Sequence, residues 1–238
     1  MKTIFLNIQS KGGAGKSMLT YLQALKHQEN DQVAFVDLDS STQTSAKQLK
    51  FIADNSPERM LQIDIFDSFK KIEREKLFQI FEALNAYNYK EIFIDFGAPE
   101  SEQLPGLFSI DFSVDEFKQF EKELNVKFVF NVVIAGGTAY YSSFLYLQRI
   151  TELIDGKFDV YAYLNELTFV NYQVLIDEVR NWAKQTKSLL KGVRLFGAIN
   201  VDRSSGQQIT ENIKEGRGIT DYTSFASRTI IKREIAKV

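Results

Sequence analysis

Residues 9–17 read QSKGGAGKS, after an apolar run, Ile4-Phe5-Leu6-Asn7-Ile8, and before a stretch of helical pattern. Gly12, Gly13, Ala14 and Gly15 carry almost no side chain. The backbone there can curl and turn successive N–H groups toward an anion at a helix N-terminus, where the dipole favours negative charge. Gly15-Lys16-Ser17 completes the second half of G-x-x-x-x-G-K-[ST], with Ser10 in the place of the first glycine. In that pattern Lys16 reaches the β- and γ-phosphates of a nucleotide and Ser17 sets its hydroxyl on Mg²⁺. Gly13 and Gly15 also fit the first two places of the dinucleotide pattern G-x-G-x-x-G. Met18 stands third, where the helix must pack closely, so this reading is weaker, although an acid about 20 positions on exists as Asp37. Lys11 is surplus to both patterns.

Carboxylates follow at the ends of apolar stretches. VAFVDLDSSTQTSA (33–46) ends its apolar part in Asp37 and Asp39. Two residues apart on a strand, they point the same way and can face one ligand. EIFIDFGAPE (91–100) reads as a buried strand ending in Asp95, and FDVYAYLNELT (158–168) as one ending in Asn165. The letters DFG at 95–97 have no VAIK or HRD companion and carry no kinase meaning.

K-G-G-x-G-K-[ST] after a first strand resembles the deviant Walker A motif of the ParA/MinD family of ATPases. The resemblance runs in order over most of the chain, with its specificity in residues 11–17. It implies ATP and Mg²⁺ as ligands, bound by Gly12, Gly13, Ala14, Gly15, Lys16, Ser17 and Met18. It implies that Lys11 crosses to the partner's nucleotide in an ATP-dependent homodimer, as an arginine finger does in other NTPases. Asp39 would position the attacking water, with Lys11 and Lys16 as its catalytic companions. The metal would be held by Ser17, with Asp37 near its shell and Asp95, in the Walker B place, acting through a water. Gly97-Ala98-Pro99 would turn the chain past the γ-phosphate. Asn165 would hydrogen-bond adenine, since an amide matches the base's donor and acceptor together. Many relatives have proline and glutamine after the second aspartate, where this chain has Ser40 and Ser41.

These residues need a frame that brings strand ends together. Strand-length apolar runs fall at 3–8, 33–38, 61–66, 91–96, 127–135, 158–165 and 193–199, several nearly continuous in Val, Ile and Phe, as in parallel strands covered on both faces. Helical patterns fall near 16–28, 43–53, 67–87, 113–125, 139–154, 171–190, 206–215 and 223–237. The alternation predicts an α/β fold: a doubly wound, mainly parallel sheet with helices on both faces. Three prolines and no Pro/Gly/Ser linker point to one ATPase domain over 1–238.

The 238 residues include no cysteine and one histidine, His27. Disulfides, thiolate metal sites and iron–sulfur clusters are thereby excluded, and the lone histidine leaves little room for His-based zinc chemistry or a His-dependent triad. No apolar run approaches the roughly 18 residues of a membrane span, and the default placement is cytoplasmic, nucleoid-associated if DNA is bound. The net charge of −2 hides an asymmetry: residues 1–179 hold 17 Lys and Arg against 26 Asp and Glu, residues 180–238 hold 12 against 5. Arg180, Lys184, Lys187 and Lys191 recur at helical spacing, and Arg228, Lys232 and Arg233 add to them. They are the candidate contacts for DNA bound without sequence preference.

The resulting reading is a slowly hydrolysing ATPase switch of plasmid or chromosome partition, or a related DNA-mobilisation process, working with an adaptor or activating protein. A MinD-like membrane switch is the alternative. Its anchor would be poor, because Ile231, Ile235 and Val238 form only a narrow stripe beside Lys232, Arg233 and Lys237. A metabolic ATP-dependent enzyme of the same fold is a further alternative, against which Lys11 counts.

Overall fold

The apolar runs become seven strands: β1 Lys2–Ile8, β2 Val33–Asp37, β3 Met60–Gln62, β4 Glu91–Asp95, β5 Val126–Ile134, β6 Asp159–Asn165 and β7 Gly192–Phe196. The computed structural model describes residues 1–38 and 44–238. All seven strands lie in one sheet of order β3-β2-β4-β1-β5-β6-β7, and every pairing is parallel. This is the doubly wound parallel sheet expected from the sequence. The chain builds outward from β1 to one side, then crosses to the other at β5. The C-terminal ends of β1, β4 and β5 therefore meet at a switch of direction, where open α/β sheets form their crevice.

Ten helices are described: α1 Lys16–Lys26, α2 Thr44–Gln48, α3 Lys50–Asn55, α4 Arg74–Ala86, α5 Ala98–Gly106, α6 Val114–Leu124, α7 Tyr140–Ile154, α8 Gln173–Gln185, α9 Ser204–Glu215 and α10 Phe225–Ile235. They cover both faces. Alternate residues Ile4, Leu6 and Ile8 of β1 join Phe128, Phe130 and Val132 of β5 in a core shared with α4, α6, α7 and α8. The opposite core gathers Leu19, Leu22 and Leu25 of α1 with Phe35, Phe93, Val133, Phe196 and, from α9 and α10, Ile209 and Ile231.

The first layer is built largely of phenylalanine. Phe117 stacks on Phe128 with centroids 4.7 Å apart and touches the rings of Phe81, Phe108, Phe112, Phe120 and Phe158. In the second layer a buried amide chain joins sheet to helix. Asn131 donates to Asn7 (2.9 Å), and Asn7 donates to Thr20 (2.8 Å) and Gln23 (2.7 Å) of α1.

Five expected elements differ. The strand expected over 61–66 stops at Gln62 and the helix expected from 67 begins at Arg74. Between them the carboxylates of Asp64 and Asp67 capture the N–H groups of Phe66, Phe69 and Lys71, at 2.8–2.9 Å, so local turns win over the ladder. The helix expected over 43–53 is two, divided at Leu49. The stretch expected to turn at 97–99 opens α5, with Pro99 in the first turn, where a missing N–H costs nothing. The basic helix expected to reach 190 ends at Gln185.

Candidate functional site

The loop between β1 and α1 curls because Gly13 and Gly15 take positive φ, 75° and 108°. Gly15 ends the curl as the residue before the first turn of α1. The loop opens on a cleft of about 390 Å³, lined by residues 12–18 together with Thr44 and Gln48 of α2 and Phe96 and Ala98 after β4. Residues 12–17 thus line one concave wall at a helix N-terminus, the arrangement that binds phosphate. Lys16 is 7% exposed, and its ammonium donates to the Gln9 carbonyl at 2.9 Å. Lys11 is exposed at the rim, with its backbone N–H on Gln9 Oε1 at 3.1 Å.

The parallel register sets Asp37 and Asp95 side by side, and Asn7 beside Asp95. Ser17 donates to Asp95 Oδ2 at 2.8 Å, which joins the first turn of α1 to the end of β4. The Ser45 hydroxyl of α2 donates to the same oxygen, and the Ala46 N–H donates to Asp37 Oδ2 at 2.8 Å. Asp95 is 1% exposed, and burial pushes its carboxyl up to about 7. Lys16 and the Ser45 and Ser17 hydroxyls pull it down, and Asp37 pushes it up. Asp95 Oδ1 is buried with no hydrogen-bond donor among the described residues.

Such a carboxylate suits a cation. Among the described residues no group of three or more acidic or imidazole side chains converges to cage a metal alone. A hydroxyl and two carboxylates at a phosphate loop instead fit an ion like Mg²⁺, which keeps waters and takes ligands from the nucleotide. Asp39 lies outside the described residues.

Asn165, at the end of β6, lies against the other side of the loop. It is 3% exposed, donates to the Ala14 carbonyl at 3.1 Å, and leaves its Oδ1 buried without a hydrogen-bond partner among the described residues. Met18 lies close to it across Gly197, where a Cβ would come within 2.7 Å of Asn165 Oδ1 and 3.2 Å of Met18 Cε.

The basic candidates are not one surface. Arg180 and Lys184 are exposed on α8, but Lys187 lies beyond its end and Lys191 begins the approach to β7, its ammonium 3.3 Å from Asp159. Arg180 pairs with Asp177 at 3.3 Å. Arg228, Lys232 and Arg233 are exposed on α10, which packs on the opposite face of the sheet from α8. The stripe of Ile231, Ile235 and Val238 packs inward on the α1 layer.

Three further features were not read from the sequence as parts of the site, although Lys237 was named there beside the C-terminal apolar stripe. Gln9 is fully buried; its Nε2 donates to the carbonyls of Val133 (2.6 Å) and Ser143 (3.1 Å), and its N–H donates to Ser101 (3.1 Å). It thus ties the start of the loop to β5, α7 and α5. The only signal was a polar residue closing an apolar strand. Ser45 gave none beyond its place after the paired aspartates. Glu234 and Lys237 are the third feature and bear on the base end.

A parallel sheet of this order, with a Gly-rich Lys-Ser loop entering α1 and an aspartate closing the neighbouring strand, defines the P-loop NTPase fold. No family model matches the chain, and no curated protein matches it in sequence. Among solved structures it has the fold of the ParA/MinD ATPases. A ParA family ATPase from Chlorobium tepidum TLS matches over 100% of both chains, with a TM-score of 0.52 and 17% identity. The MinD cell division protein of Aquifex aeolicus matches over 99% of this chain and 95% of its own (TM-score 0.50, 15% identity), and a chain of the MinC:MinD cell division protein complex of that organism does so at 13% identity.

Proposed function

We propose that the chain is an ATP-binding, slowly hydrolysing switch of the partition or positioning kind, working as an ATP-dependent homodimer. The observation that carries this reading is that Lys16 and Ser17 line one cleft and that Ser17 donates at 2.8 Å to Asp95, buried behind it. The loop N–H groups and Lys16 would bind the phosphates, and Asn165 the adenine. Ser17, with Asp37 and with Asp95 through a water, would hold Mg²⁺, which supplies charge neutralisation at the β- and γ-phosphates. Asp39 would orient the attacking water. Lys11, exposed on the rim, is free to reach a partner's phosphates.

In its ATP state the dimer would bind DNA without sequence preference, through Arg180, Lys184, Lys187 and Lys191 or through Arg228, Lys232 and Arg233. An adaptor or activating protein would trigger its release. The test is the Asp39→Ala protein titrated onto a random-sequence duplex by fluorescence anisotropy, in Mg-ATP and in Mg-ADP, over a range of salt. Binding only with ATP, falling steeply with salt, is the expected result. A protein that holds ATP and binds no duplex in either state refutes the DNA reading.

A further inference from the structure

Two loops flank Asn165; one is tied to the last turn of α10 and the other to the residues just past its end. On one side Glu234, fully buried, accepts the N–H groups of Gly197 (2.8 Å) and Ala198 (3.2 Å), just past the end of β7. On the other, Lys237 donates to Glu166 at 2.6 Å, and Glu166 directly follows Asn165. Lys237 also lies 3.0 Å from Glu234 Oε1, so the two ties share one ion pair, with Arg233 3.5 Å from the same oxygen.

What they restrain is narrow. Gly197 holds φ of +78°, and its Cα leaves no room for a side chain between Asn165 and Met18. The Oδ1 of Asn165, buried and without a hydrogen-bond partner among the described residues, faces this point. A shift of the 197–198 loop by a few tenths of an ångström would therefore move the wall against which Asn165 is set. Burying a carboxylate is costly unless it is compensated. Here the two backbone N–H groups bond Glu234 Oε2, while Oε1, without a hydrogen bond among the described residues, is offset by the charge of the Lys237 ammonium 3.0 Å away.

We propose that Glu234 and Lys237 are positioning residues for base recognition: α10 clamps the loops after β6 and β7, and so fixes the acceptor that distinguishes one purine from another. The inference rests on the nucleotide reading above and deepens it. Neither residue touches the phosphate loop directly; they reach it only through Asn165 and its hydrogen bond to the Ala14 carbonyl, so the larger effect is expected on the base.

The experiment is calorimetric titration of the full chain with Mg-ATP, Mg-GTP and Mg-tripolyphosphate, the last a ligand without a base. Glu234→Gln keeps the shape and removes the charge; Lys237→Ala removes the link to Glu166 and serves if the first variant folds poorly. Each variant is expected to lose about tenfold in ATP affinity, with the ATP-to-GTP ratio moving toward one, the size of one charge-assisted hydrogen bond. Tripolyphosphate affinity should stay within about twofold of wild type. An equal loss for all three ligands would assign the pair a purely structural part and overturn the proposal. Unchanged ATP affinity and unchanged ratio in both variants would overturn it as well. If wild-type protein binds neither ATP nor tripolyphosphate, the nucleotide reading fails and the clamp with it.

Discussion

Lys11 and Lys16 stand five residues apart and live in different surroundings: one is exposed on the rim, the other 7% exposed against the Gln9 carbonyl. The difference divides their work. Lys11→Ala should leave ATP affinity within about twofold of wild type and abolish ATP-dependent dimerisation, read by light scattering with and without nucleotide. A normal dimer in that variant removes the trans role. Asp95 makes a second prediction. Its folded-state carboxyl titrates near 7 rather than at 3.8, so the native state holds an extra proton between those values. Native stability from this group is complete below the lower value and is lost as pH rises through the upper one. Without nucleotide or divalent ion, Asp95→Asn should therefore melt above wild type at about pH 8, by a margin that shrinks toward about pH 5. An equal margin at both ends refutes the shift. Lys16, Ser17 and Asp95 were legible because each belongs to a local pattern. Gln9 and Ser45 were not, since their partners lie as far as 134 and 50 residues away and no spacing encodes them.

At the scale of elements, strands buried on both faces announced themselves. β2 has five buried residues in five, and β5 nearly continuous Val and Phe. What resisted reading was decided by contacts and not by period. α5 carries two prolines and one large apolar residue, Leu104, in APESEQLPG, yet it folds as helix with Glu100, Ser101, Leu104 and Pro105 buried. β3 was cut short by aspartates that bind their own backbone. The phenylalanine layer gives this scale its prediction. Phe117 is 1% exposed at the meeting point of α6 and β5, and Phe117→Ala should cost about 3–5 kcal/mol in a denaturant titration, the range for emptying a packed aromatic site. A loss below about 1 kcal/mol would mean that the neighbouring rings collapse into the space.

For the molecule as a whole, the sequence disclosed how much positive charge the last quarter holds but not where it goes. Folding divides it between α8 and α10 on opposite faces of the sheet, so a single duplex cannot lie flat along both helices of one copy. The same two-sidedness reaches the spectroscopy. Trp182, the one tryptophan, sits in the α8 layer with its ring edge-on to Phe144 of α7, centroids 5.4 Å apart. The α1–α10 layer holds no indole, and its buried Tyr21 and Tyr222 share a hydroxyl contact of 2.7 Å. Emission excited at the red edge therefore witnesses one side of the sheet only, while the far-ultraviolet dichroism of the helices averages both. Where the two signals change together on unfolding, the layers come apart as one cooperative unit; where they separate, the gap between the curves measures how independently each side of the sheet can melt.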